Sequence, residues 1–213
     1  MGADNSRHEV LLDHADREQH HLKAPLLVSR RSWAGIACDF FTVETLFLRH
    51  YYALFFIEHA TCRAWLAGCT GPTPTGTGVT QQARNLTFTA LFELTRFLIR
   101  DREYSGPFDE VFRSEGFRIV KTPVRAPRAN AIPERFIRTI RTECLDWLLI
   151  LNRRHLEHAL RVYVDHYDTQ RPHRALKLVP PVPPDPPPKD GEHAVRRRDR
   201  LGGLIHEYHQ QAA

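Results

Sequence analysis

The 213-residue chain has only four cysteines, Cys38, Cys62, Cys69 and Cys144, and no two of them stand in a CxxC pair or at zinc-ligand spacing. That leaves no zinc motif and no dithiol redox motif. Three of the four lie in apolar runs, as small core residues of a reducing, intracellular compartment would. No apolar run approaches the ~18 residues that a membrane-spanning helix requires. The residues from Met1 to His8 lack the basic start and apolar centre of a secretory signal, so a cytoplasmic protein with no membrane attachment is expected. Acid is scarce in one region above all. Between Arg118 and Arg141 a single carboxylate, Glu134, stands among seven basic residues, although the formal charge of the whole chain is only +5. A local surplus of that kind favours a polyanionic partner, against the commoner alternative of a solvated basic face.

What is present supports one globular centre, since 42% of the residues are hydrophobic and the length allows a sizeable core. Residues 1–32 read as a polar, poorly anchored leader. Strands are predicted at 35–43, 51–57 and 63–69, an aromatic-rich antiparallel meander. A breaker-dense loop over 71–78 precedes a helix over about 80–93, with Thr80 as its cap. A strand at 96–100, a helix at 108–115 stopped by Gly116 and a strand at 117–121 follow. Two prolines keep 122–129 irregular. Asn130 then caps a helix with Pro133 in its first turn, and Phe136, Ile137, Ile140, Cys144, Leu145 and Leu148 trace its apolar face. A second helix carries Leu156, Leu160, Tyr163, Val164 and Tyr167 at the same period, with His166 exposed, and His173 beyond it is given a structural role. The core therefore spans 33–176. A Pro-rich and basic linker covers 177–200, including Arg196–Arg200, and 201–213 is a short terminal segment, a strand or a small packing element. The order of elements predicts an α/β fold: a mixed five-stranded sheet with helices on both faces.

Three acids occupy informative settings. Asp39 lies inside an apolar strand, Asp101 directly follows another, and Glu134 opens the basic helix. Carboxylates beside a core need their charge compensated, and a metal ion is the usual means. Three hard oxygen donors suit two divalent cations arranged for phosphodiester chemistry. Glu134, Arg138 and Arg141 are spaced to share a helix face, so the carboxylate can meet metal while the arginines pair with phosphate. The bland alternative is an intrahelical Glu134–Arg138 pair worth only a few tenths of a kcal/mol. Arg171, in Arg171-Pro-His-Arg174, either contacts DNA phosphate or merely ends its helix.

Five ordered blocks resemble one known family: Ala37-Cys-Asp-Phe-Phe41, Val79-Thr-Gln-Gln-Ala-Arg-Asn-Leu86, Phe97-Leu-Ile-Arg-Asp-Arg102, Lys121-Thr-Pro-Val-Arg-Ala-Pro-Arg-Ala-Asn-Ala131 and Tyr167-Asp-Thr-Gln-Arg-Pro-His-Arg174. Together they are similar to the integrase core of bacterial insertion-sequence transposases, in the Asp-Asp-Glu transposase and retroviral integrase superfamily. The likeness runs from about Trp33 to Tyr208. It implies a ribonuclease H-like fold and DNA strand cleavage and transfer with two Mg²⁺ or Mn²⁺ ions on Asp39, Asp101 and Glu134. It also puts Arg141 at the basic position that contacts the element end, and with the local basic surplus the expected DNA contacts are Lys121, Arg125, Arg128, Asn130, Arg138, Arg141 and Arg171. The partners would be element-end and target DNA, with a homo-oligomer as the active form, in a bacterial cytoplasm and beside the nucleoid. The stretch between Asp101 and Glu134 is slightly shorter than is usual in that family, and residues 1–32 are too short and polar for its usual helix-turn-helix. A truncated remnant that binds DNA without cutting it therefore stays open as the alternative, as does a ribonuclease H-like nuclease.

Overall fold

The computed structural model describes residues 35–71, 76–87, 97–100, 104, 106–122, 131–184 and 193–212. Strands β1 (Gly35–Glu44), β2 (His50–Glu58) and β3 (Ala64–Thr70) come first, then helix α1 (Gly76–Thr87) and strand β4 (Phe97–Arg100). Helix α2 (Gly106–Ser114), strand β5 (Arg118–Lys121), helices α3 (Ala131–Glu143) and α4 (Arg153–Thr169), and strands β6 (His193–Arg200) and β7 (Ile205–Ala212) complete the order. The main sheet runs β3-β2-β1-β4-β5. The first three strands are antiparallel neighbours, whereas β4 and β5 extend the sheet in parallel. Tight turns serve the meander, while a parallel neighbour demands a longer crossover, which the segment containing α2 provides between β4 and β5.

Both faces of the sheet are covered, which explains the nearly unbroken apolar runs. On β1, Ile36 and Cys38 join a cluster with Val79 and Ala83 of α1 and Phe108 and Phe112 of α2. The intervening Ala37, together with Phe41 and Val43, joins a second cluster with Phe136 and Ile140 of α3 and Leu156, Leu160 and Tyr163 of α4. Alternate side chains of a strand point to opposite faces, so burial of both sets leaves β1 and the fully buried Ala53–Ile57 of β2 no polar side. The α2 face is an aromatic stack: Phe56 and Phe108 lie 5.6 Å and 5.1 Å from Phe112, and Phe117 meets it edge-on at 5.7 Å. Such pairs add about 0.5–1.5 kcal/mol each beyond the area they bury.

Several features depart from the expected elements. Helix α1 begins at Gly76 rather than Thr80, so part of the glycine-rich loop is helical. The opening N–H groups of a helix have no internal partner in any case, and glycine costs least near such an end. Between β2 and β3 the register slips at Leu54/Phe55, and Gly68 takes φ +148° opposite the irregularity. A glycine tolerates that conformation where a side chain would strain.

The C-terminal strands form a separate two-stranded sheet. His193–Arg200, read from sequence as linker, is thus one half of a hairpin. Ile205 is buried in the α3/α4 cluster, with Leu201 and Leu204 packed beside it. Arg200 reaches Asp165 of α4 and Glu207 of β7, and His166 meets Glu207 at 3.2 Å. His166 is therefore half-buried, not exposed, because the hairpin covers it. Among the described residues no helix is long and apolar enough to cross a membrane.

Candidate active site

Asp39 sits on β1, the central strand of the main sheet, and pairs across the ladder with Phe55 of β2. Strand alternation gives it the face of Ala37 and Phe41, the side covered by α3 and α4. Helix α3 is pinned there by its apolar stripe: Phe136 packs on Phe55 with ring centroids 4.8 Å apart. Glu134, two residues earlier in the first turn of α3, is exposed to solvent. The links Asp39–Phe55–Phe136 therefore bring the N-terminal turn of α3 over the half of the sheet that carries Asp39. Asp101 lies outside the described residues, as do Arg125, Arg128 and Asn130. Among the described residues no group of three or more His, Cys, Asp or Glu is set to hold a metal.

The surroundings of Asp39 are those of a carboxylate at the border of a core. It is half-buried, and its Oδ1 accepts the Phe40 N–H at 2.8 Å. Tyr104 stacks on Phe40 at 4.9 Å. Burial pushes the Cys38 thiol up, and the neighbouring Asp39 charge adds to the shift. Burial likewise raises the Tyr104 phenol, helped by Cys38 and Asp39. Cys38 is therefore an inert core thiol, since the reactive form is the thiolate. The donor set that remains, hard carboxylate oxygens at a strand and at a helix start, is of the type that Mg²⁺ or Mn²⁺ prefers.

The basic residues divide. Lys121, at the end of β5, and Arg138, one turn along α3 from Glu134, are exposed. Among the described residues no ion pair joins Glu134 to Arg138. Arg141 turns back onto the sheet instead: its Nη2 donates to the Thr42 carbonyl at 2.6 Å, and its guanidinium lies 5.8 Å from the Phe41 ring centre. Arg171 grips Glu143 with Nε at 2.8 Å and Nη2 at 2.6 Å, and the Tyr163 hydroxyl donates to the same carboxylate at 2.7 Å. Burial opposes ionisation of Glu143, yet the bonds from Arg171 and Tyr163 outweigh it and hold the carboxyl below its ordinary range. His173 is buried, with Nε2 3.1 Å from the Tyr167 carbonyl and its ring edge-on to Tyr167 at 4.5 Å.

Two further groups escaped the reading of the sequence. Arg100, the last residue of β4, is 2% exposed and binds Asp109 of α2, with Nε donating to Oδ1 at 2.6 Å. Asp109 lies among Phe108, Val111 and Phe112 on the buried side of α2, and an acid on an apolar stripe is a signal that could have found it. Asp168, near the end of α4, accepts the Ala64 N–H of β3 at 3.0 Å. Its partner is 104 residues away, and no local pattern announces it.

The described sheet and its flanking helices define a ribonuclease H-like, integrase-type fold. Residues 115–181 match the family described as the integrase core domain, so the resemblance drawn from the sequence blocks holds. Among solved structures, the chain is similar to one in the cryo-EM structure of the simian T-cell lymphotropic virus intasome in complex with PP2A regulatory subunit B56 gamma. That match has a TM-score of 0.55 at 13% identity and covers 84% of this chain and 66% of that one. The chain thus spans slightly less than two thirds of that relative. The catalytic core domain of BIV integrase is also similar, at 12% identity and a TM-score of 0.44, over 66% of this chain and 86% of that one. No curated protein matches.

Proposed function

We propose that this chain is the catalytic core of a transposase or integrase that cleaves DNA strands and joins their 3′ ends to a target, with Asp39, Asp101 and Glu134 as its catalytic acids. The observation that carries the reading is the common side taken by Asp39, on the central strand, and the helix turn bearing Glu134, in a sheet of integrase type. Asp101 is the residue after β4, and β4 lies parallel beside β1. Two Mg²⁺ or Mn²⁺ ions, when bound, would supply activation of the attacking oxygen and stabilisation of the leaving one. Asp39, Asp101 and Glu134 would together hold those ions through their carboxylate oxygens. Arg138, exposed one turn beyond Glu134, is placed to pair with a phosphate of the bound strand. Lys121, Arg125, Arg128 and Asn130 extend that contact along the backbone. Arg141 and Arg171 have part of their donor capacity committed to Thr42 and Glu143, so they position the site and contribute less to raw affinity.

In the first step water oxygen attacks phosphorus, the bond to the 3′ oxygen breaks, and that oxygen leaves as a 3′-hydroxyl. In the second, the 3′-hydroxyl attacks a target phosphodiester, loses its proton, and a new 3′-hydroxyl is released. Joining two ends calls for more than one copy of the chain, hence a homo-oligomer in action, in the cytoplasm beside the nucleoid. Purified full chain with Mg²⁺ or Mn²⁺ and duplexes carrying the element ends should give nicked and joined products that vanish in Asp39→Asn. Metal-dependent products that persist in that variant refute the assignment. Salt-sensitive DNA binding without products would leave the remnant reading, and cutting of any duplex without joining would leave the nuclease reading.

A further inference from the structure

The basic run Arg196–Arg200 has no part in the chemistry above, and the structure gives it a form the sequence did not suggest. It is strand β6, laddered to β7 in the pairs Arg196 with His209, Arg197 with Tyr208, Arg198 with Glu207, Asp199 with His206 and Arg200 with Ile205. Directly opposed residues of an antiparallel pair share a face. One face therefore carries Arg196, Arg198 and Arg200 with His209, Glu207 and Ile205. Its end near the turn is anchored: Ile205 enters the core, and Arg200 and Glu207 are tied to Asp165 and His166 of α4. The far end, with Arg196, Arg198 and His209, is exposed.

Charge on the hairpin is only partly matched. Arg197 pairs with Asp199 at 2.9 Å, Asp199 also meets His206 at 2.7 Å, and Glu207 is taken by His166 and Arg200. Arg196 and Arg198 have no acidic partner among the described residues. They stand two residues apart on one face, about 6.8 Å along the strand, so each can meet a separate phosphate. Tyr208, 60% exposed, lies beside them on the opposite face. A two-stranded ribbon of this kind is also narrow enough to enter a major groove about 12 Å wide. Among the described residues of the hairpin the large exposed apolar side chains are Val195 and Tyr208, too little to anchor it in a bilayer interface.

The root is tied by side-chain contacts to α4 and, through it, to the helix that carries Glu134. Glu207 meets His166, whose ring lies 6.4 Å from Tyr163, and Tyr163 donates to Glu143 at the end of the helix that Glu134 begins. Glu134 and Glu143 are separated by about 13.5 Å of helix rise. DNA gripped by the hairpin would thus be joined through these contacts to the helix that carries Glu134.

We propose that the β6–β7 hairpin is a DNA-binding arm that grips the backbone of duplex DNA through Arg196 and Arg198. The identity of the polyanion as DNA rests on the proposed function; the arm itself does not require strand chemistry. The test is binding of the full chain to a labelled mixed-sequence duplex, followed by fluorescence anisotropy across a salt series. The double variant Arg196→Ala/Arg198→Ala should bind on the order of tenfold more weakly near 0.1 M salt. The slope of log K against log salt should also become shallower by about 1.8, two phosphates at ~0.9 each. An unchanged slope in a variant with wild-type circular dichroism and melting overturns the arm, since a merely solvated strand gives that result. Vesicles containing phosphatidylserine form a parallel arm: arginine-dependent vesicle binding with duplex binding unaltered also overturns it. Asp39→Asn keeps the two readings apart. A shallower slope in the arm variant upholds the arm even where neither wild type nor Asp39→Asn yields products.

Discussion

Arg100 and Asp109 give the sharpest test of how the fold supports the site. The two side chains are 2% and 4% exposed, and the carboxylate takes both Nε and Nη2 of the guanidinium. Arg113 also approaches Asp109, at 3.4 Å, but is half exposed and contributes little. Asp109→Ala would leave the Arg100 charge in the α2-side core without its main counter-ion. Breaking a buried pair from one side costs about 3–5 kcal/mol, whereas replacing both partners by apolar residues is often neutral. Asp109→Ala should therefore lose about 3 kcal/mol or more, and Arg100→Met/Asp109→Leu should recover most of it. Urea unfolding followed by tryptophan fluorescence measures both, with an unchanged m-value showing that the compactness of the states is the same. The reasoning fails if the single variant loses under about 1 kcal/mol, or if the double variant is no better. Arg100 also directly precedes Asp101, so the proposed strand cleavage should fall by about 100-fold in Asp109→Ala even where the variant is fully folded, as a misplacement of about 1 Å does. Full activity in folded Asp109→Ala would separate this ion pair from the site.

Two other perturbations follow from the electrostatics. Burial raises the Asp168 carboxyl to about 7, against the pull of the Ala64 N–H and the Arg63 charge, with Asp165 adding to the rise. Between about pH 4 and 7 the folded state then holds a proton that the unfolded chain has lost, so stability falls as pH rises through that window and the loss is complete above it. Asp168→Asn keeps an acceptor for Ala64 and should flatten the profile, exceeding the wild type at pH 8 by on the order of a few kcal/mol; parallel profiles from pH-dependent urea unfolding would rule this out. Arg171→Lys should lose the two-pronged grip on Glu143 and, because both side chains are partly exposed, only about 0.5–1 kcal/mol of stability. The Glu143 carboxyl should titrate higher in that variant by NMR, and an unmoved titration would show that Tyr163 alone holds it down.

The sheet was legible because its signals are local and repeated. Aromatic and branched residues over 51–57 mark β2 whatever the partner, and the stripe Leu156, Leu160, Tyr163, Tyr167 is buried as its helical period requires. Strand β6 was illegible for the opposite reason. Five of its eight residues are charged, so no apolar alternation announces it, and its pairing and docking come from β7 and α4. The pairing of Arg100 was equally hidden, because its partner Asp109 arrives from a helix nine residues on.

The same distinction applies within the site. Asp39 stands out because a charge inside an apolar strand demands a reason, and Glu134 because one acid opens a basic helix; both are local oddities. What brings them to one side is not local. It is the contact of Phe136 with Phe55, 81 residues apart, made possible because Phe55 is the cross-strand neighbour of Asp39. The apolar stripe that buries α3 is thus also what orients Glu134. Arg141 reinforces it from the other end of the helix by donating to Thr42 on β1. A helix tied to one strand through its apolar middle and its basic end has little freedom to swing its first turn. The backbone that carries Glu134 is therefore positioned by packing.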